Sequence, residues 1–190
     1  MGTSISQASP TTANWRAANT AYTSDALPVD RVAQEVWRAA TNQPIGDLAV
    51  DLASPIIAQC AQIARDAASG TEAIASIRQS IMTAGDTSLA ADIAQRAAVR
   101  CIAVGGDRIE GFVKSLFSEA SNYLVARDLP GFVGRGQRTR TVSDARQFKS
   151  DVCRVVGQVV QTVARPPGAE NSPASWNTYV ATVVKTLTGT

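Results

Sequence analysis

Apolar residues along this chain recur at spacings of three and four, the period of a helix with one buried face. After Pro28, which suits a first helical turn, Val29, Val32, Ala33, Val36, Trp37 and Ala40 share a face, and Asn42 to Pro44 interrupts it. Asp47 is placed to cap a second segment carrying Leu48, Leu52, Ile56, Cys60 and Ile63. Pro55 falls inside it, so the helix either restarts or kinks there, because proline cannot donate to the preceding turn. Thr71 opens a third segment, with Ile74, Ile77 and Ile81 on its stripe and Gly85 at its close. Asp86 opens a fourth, through Leu89, Ile93, Ala97 and Cys101 to Gly105-Gly106.

The fifth segment starts at Asp107, followed three residues later by Glu110 in a capping-box-like pair. Phe112, Leu116, Phe117, Ala120, Tyr123 and Leu124 make its face the most aromatic in the chain, the expected centre of the core. Leu129-Pro130-Gly131 ends it. Ser143 or Asp144 is expected to cap a sixth helix lined by Phe148, Val152, Val155, Val156, Val159, Val160 and Val163, stopped by Arg165-Pro-Pro-Gly168. Valine is a modest helix former, yet the spacing and length favour helix over strand. Ser172-Pro173 restarts a seventh, where Trp176, Val180, Val183, Val184 and Leu187 share a face. No segment sustains the period-two alternation of a strand. The expected fold is all-α: a bundle of about seven helices over residues 25–190, preceded by a flexible or docking N-terminal arm over residues 1–24. The tetrapeptide WRAA occurs at Trp15–Ala18 and again at Trp37–Ala40, a hint of helix within the arm.

Composition narrows the function classes. The 190 residues suffice for one substantial core. Charged residues are 18% of the chain, below the usual ~25%, so its surface is covered largely by uncharged polar residues and alanine, or hidden against other copies. Histidine is absent, which removes histidine-based general bases, Ser–His and Cys–His pairs and most transition-metal sites. Cys60, Cys101 and Cys153 are widely spaced, odd in number and set on apolar stripes, as expected of buried thiols in a reducing compartment. Asp47 with Asp51, and Asp66 with Glu72, are the candidate carboxylate pairs; caps and solvated faces explain them more simply. No catalytic residue, metal site or cofactor is expected. The N-terminal stretch lacks the basic and apolar regions of a secretory signal, and no apolar run reaches membrane-spanning length. MGTSIS fits the loose pattern for myristoylation at Gly2, a weak anchor by itself.

The chain's chemistry is concentrated in one stretch, LPGFVGRGQRTRT from Leu129 to Thr141. Between Gly134 and Arg154, six cations (Arg135, Arg138, Arg140, Arg146, Lys149 and Arg154) face two carboxylates, a local charge of +4 in a chain whose net charge is +2. Gly131 and Gly136 have P-loop separation, but Gln137 and Arg138 follow where lysine and a hydroxyl are required. The order G-x-x-G-x-G, after a helix, does not suit a dinucleotide fold either. General anion binding survives: arginine forks suit phosphate, and the following helix presents its positive end. Arg135, Arg138, Arg140, Arg146 and Lys149 are the candidate phosphate ligands, and Phe132 is the candidate for stacking on a base. The alternatives are a solvated connector and a contact with an acidic protein surface.

The polar arm MGTSISQASPTTANW, the arginine-bearing helix start TRTVSDARQFKSDV, and the fragments RQF at Arg146–Phe148 and NSPASW at Asn171–Trp176 together resemble the coat proteins of rod-shaped and filamentous plant viruses. The resemblance is local, and the scarcity of aromatic residues departs from that family. It implies a self-assembling helical subunit of a virion, with Arg138, Arg140 and Arg146 near RNA phosphates and Trp15 in an inter-subunit contact.

The expected function is therefore non-enzymatic: a cytoplasmic or virion subunit that binds copies of itself and coats single-stranded nucleic acid through residues 131–154. The alternative is a cytoplasmic protein–protein adaptor of a signalling or defence system. A histidine-free enzyme stands third.

Overall fold

The computed structural model describes residues 10–41, 47–104, 107–134 and 138–190, and the chemistry at the helix ends accounts for its element boundaries. The helices are α1 (Pro10–Thr23), α2 (Val29–Thr41), α3 (Leu48–Leu52), α4 (Pro55–Asp66), α5 (Gly70–Ala84), α6 (Leu89–Val104), α7 (Arg108–Asp128), α8 (Val142–Thr162) and α9 (Pro173–Thr188), with 3₁₀ turns at Leu129–Gly131 and Ala169–Asn171. Among the described residues there is no strand, and the fold is an all-α bundle. The interruptions expected at Asn42–Pro44 and Gly105-Gly106 lie outside the described residues, as does Gly2.

At Pro55 the chain restarts rather than kinks. α3 ends at Leu52, Ser54 is extended, and Pro55 takes the first turn of α4, where its missing N–H costs nothing. Asp47 and Asp107 accept from the amides of Ala49 and Ile109, as N-caps do. Three expected starts move. α6 begins at Leu89, capped by Ser88, whose Oγ accepts from Ala91 N at 3.2 Å, and not by Asp86. α5 begins at Gly70, not Thr71: Ser69 Oγ accepts from Glu72 N at 3.1 Å while Glu72 Oε2 accepts from Ala68 N. α8 is capped by Thr141, not Ser143 or Asp144. Thr141 is extended, its hydroxyl accepts from Asp144 N, and Asp144 returns a bond to Thr141 N at 2.9 Å. This reciprocal pairing satisfies two donors that a helix start leaves open.

α7 is the central strut. It packs along α6 on one side and α8 on the other, and also meets α2 and α4. Phe112, Leu116, Phe117, Ala120 and Leu124 are buried as expected, each large one stabilising the fold by about 1.5–3 kcal/mol. Tyr123 is a correction: it is exposed. It follows Asn122 off the buried stripe, and Ser121 takes the inward place. That small residue leaves room for Trp37, whose indole Nε1 donates to Ser121 Oγ at 3.0 Å and whose ring lies 5.6 Å from Phe117. Trp176 Nε1 donates to the Leu52 carbonyl at 2.9 Å. Both tryptophans are thus fully buried without an orphaned N–H.

The segment expected as an arm contains α1, which packs on α2 of its own chain and buries Ala18, Ala21 and Tyr22 completely. Trp15 falls in α1, but its side chain lies outside the described residues. Among the described residues no helix is long and apolar enough to cross a membrane.

Candidate nucleic-acid interface

The Gly/Arg-rich stretch forms a closed connector between α7 and α8. After the 3₁₀ turn, Phe132 N donates to Leu129 O at 2.9 Å, and Gly134 N donates to Thr139 O at 2.7 Å. Gly134 takes a φ of 79°, a left-handed backbone that a side chain would strain. Thr139, fully buried, donates its hydroxyl to Phe132 O. The amides of Phe132 and Gly134 are therefore spent inside the connector rather than turned outward to an anion. Arg135 lies outside the described residues.

The remaining candidate residues separate by what they face. Arg138 points inward. Its Nε donates to Ser24 O at 2.7 Å, its Nη2 donates to Leu27 O, and the guanidinium carbon sits 5.0 Å from the centre of the Phe148 ring. Desolvation there pushes the Arg138 pKa down, with Asp25 opposing. Phe132 is half-buried, its ring 5.7 Å from Tyr22, and Tyr22 meets Phe148 edge-on at 6.3 Å. Arg138 and Phe132 thus tie the connector to the end of α1 and to the loop between α1 and α2. The Tyr22 hydroxyl is buried with no hydrogen-bond partner among the described residues, and burial raises its pKa.

Arg140 and Arg146 are exposed, and Lys149 is half-exposed. Among the described residues none of the three has an ion pair. They fall on two flanks of α8. Arg140, Asp144, Gln147 and Asp151 line one shallow groove with Val29 and Phe148, and Asp151 also pairs with Arg154 at 3.5 Å. Arg138 lines the same groove, so three arginines face two carboxylates on that flank. Arg146, Lys149, Cys153 and Gly157 follow spacings of three and four on another flank, turned toward α7. Ser118 on α7 donates to the Cys153 carbonyl at 3.2 Å. A side chain at Gly157 would meet Lys114 Cε at 3.1 Å and Ser118 Oγ at 3.2 Å, so a Cβ there would push both side chains aside by a few tenths of an ångström.

Two buried carboxylates were not singled out from the sequence. Glu119 on α7 receives Arg100 from α6 and Asn122 Nδ2 at 3.2 Å. Glu170, its side chain wholly buried, receives Arg65 from α4 and, at 2.9 Å, Arg165. A carboxylate so enclosed is held by paired cations. The only available sequence signal is the Pro-Pro-Gly turn that returns Glu170 toward the core. Asp47 serves as a cap, and burial together with Asp47 and Asp86 raises the Asp51 pKa. Among the described residues no three His, Cys, Asp or Glu side chains group as metal ligands. The three cysteines are free: Cys60 is buried, while Cys101 and Cys153 are partly so. No protein-family model, curated protein or solved structure matches the chain.

Proposed function

We propose that this protein is a non-enzymatic helical subunit that self-associates and coats single-stranded nucleic acid through the segment 131–154. The observation that carries the reading is the pair of exposed guanidinium groups, Arg140 and Arg146, at the capped start of α8 with no ion pair among the described residues. Arginines so placed grip phosphates through fork-shaped donors, and the helix end adds its positive dipole. Arg138 and Phe132 act behind them, holding the connector against α1 so that Arg140 and α8 keep their places. Such a contact follows a phosphate backbone without reading bases. Self-association is supported by the low charge of the surface and by exposed aliphatic side chains at Val50, Met82 and Val142. The local likeness to plant-virus coat proteins points the same way, and with it a virion or cytoplasmic setting.

Light scattering on a size-exclusion column, with and without oligouridylate, tests both parts. The expected result is a large homo-oligomer whose RNA affinity falls steeply with salt, with Arg140→Gln or Arg146→Gln lowering the salt slope by about 0.7 each. A monomer that ignores RNA at low salt overturns the reading. The adaptor alternative draws on one feature, a groove lined by Val50, Ala53, Val180 and Val184 between α3 and α9 with Lys185 beside it. A monomer or dimer without RNA affinity that captures a protein through this groove favours it.

A further inference from the structure

We infer that the polyanion path leaves the Gly/Arg connector and runs along the seam between α7 and α8, where Lys114 and Arg100, residues far away in sequence, join Arg146 and Lys149 in holding a phosphate backbone. The inference rests on the nucleic-acid reading above and extends it to residues outside 131–154.

The seam is defined by contacts. Arg146, Lys149, Cys153 and Gly157 form one stripe of α8, and Lys114, Ser118 and Asn122 form the facing stripe of α7. The stripes meet where Ser118 donates to Cys153 O and where Lys114 lies over Gly157. Arg100 reaches in from α6 to Glu119, and more than half of its side chain remains exposed. Around Cys153 the neighbouring charges are Arg100, Glu119 and Lys149, so these groups share one locality. Four cations thus border the seam against two carboxylates, Glu119, buried beneath Arg100, and the exposed Glu110 at its end. From Arg146 to Gly157 the stripe rises about 16 Å, at 1.5 Å per residue. Its floor is small or uncharged: Ser118, Asn122, Cys153 and Gly157. Glu110, one turn beyond Lys114 on α7, marks the far end. The surplus on the opposite flank of α8 is smaller, because Asp144 and Asp151 offset two of the three arginines there, Arg138, Arg140 and Arg154, and Arg138 is turned inward onto backbone carbonyls. A linear surplus of flexible cations over an uncharged floor suits an extended phosphate chain, whose charges are themselves in line.

Fluorescence anisotropy of labelled oligouridylate, titrated at several salt concentrations against the full chain, tests this. Lys114→Gln and Lys149→Gln remove cations that have no ion pair among the described residues, so both variants are expected to fold, as circular dichroism will check. Each should lower the slope of log affinity against log salt by about 0.7. Arg100→Gln should do the same, with Lys114→Gln deciding the matter if loss of the Glu119 partner unfolds the chain. If Lys114→Gln keeps the wild-type slope while Arg140→Gln or Arg146→Gln lowers it, the path is confined to 131–154; this inference is then wrong and the nucleic-acid reading stands. If no variant changes the slope, or the wild type does not bind, both fail. Competition by polyglutamate as strong as by unlabelled oligouridylate overturns the inference in favour of an acidic protein partner.

Discussion

Arg138 and Arg140 stand two positions apart, yet one serves the fold and the other faces solvent. The division follows from Thr139, whose burial and bond to Phe132 O set the path of the backbone between them. Arg138 then meets two carbonyls and an aromatic face, an environment that replaces its lost hydration. Glu170 illustrates the same rule with opposite sign, being buried and held by Arg65 and Arg165. Without Glu170, Arg165 loses its ion pair, while Arg65 keeps Asp66. Glu170→Ala is therefore expected to lower the unfolding free energy by about 1–3 kcal/mol in urea denaturation. Arg140→Ala, at an exposed site without an ion pair among the described residues, should stay within about 0.5 kcal/mol of the wild type.

Helix ends are where element-level prediction is most exposed to error, because several candidate caps compete within a few residues. Around α8 the run Thr141-Val-Ser143-Asp144 contains three side chains able to cap. Thr141 prevails with Asp144, three residues on, accepting from the Thr141 amide; Ser143 has only Arg146 at that spacing, and Gln147, the partner Asp144 would need, bonds forward to Asp151 instead. Thr141→Ala should cost about 1 kcal/mol, seen as a shift in the urea midpoint at constant slope. Ser143→Ala should be nearly silent in the same measurement. At α5 the matching competition goes to Ser69 over Thr71, again because Glu72 bonds back toward the start. Between α3 and α4, Pro55 works as a starter because Ser54 is already extended, the conformation that a following proline favours.

For the whole molecule, pH reports how well the core keeps polar groups dry. Burial pushes the Cys60 thiol from 9.0 up to about 12, Cys153 from 9.0 up to about 11, and the Tyr179 hydroxyl from 10.0 up to about 12. Each group keeps its proton in the native state at pH values where the unfolded chain has released it. The native state then binds more protons than the unfolded state, so stability falls as pH rises. The loss begins near the unfolded values, at about pH 9, and continues toward about pH 12. With no histidine in the chain, stability should be nearly level between about pH 6 and 8. Thermal melting across this range checks both parts. Cys60→Ala should make the alkaline fall shallower while lowering the melting temperature at neutral pH through lost packing.

Periodicity alone was enough to determine the class of this fold, because a helix buries one stripe and the stripe's spacing is written in the order of residues. The aromatic face of α7, the break at Pro55 and the proline start of α9 were all legible for that reason. So was the concentration of positive charge between Gly134 and Arg154. Tyr123 was misread because stripe width, unlike stripe period, depends on which neighbours pack alongside; Ser121 was taken inward to partner the Trp37 indole. The division of the arginines between core and surface was likewise decided only in three dimensions. Arg138 turns inward because the loop between α1 and α2, over a hundred residues earlier, brings two carbonyls within its reach. The same holds for the placing of Arg100 and Lys149 around Cys153 and of Lys114 over Gly157. Local order specifies what each helix can bury, whereas the neighbours brought by packing decide which of its charges remain available to another molecule.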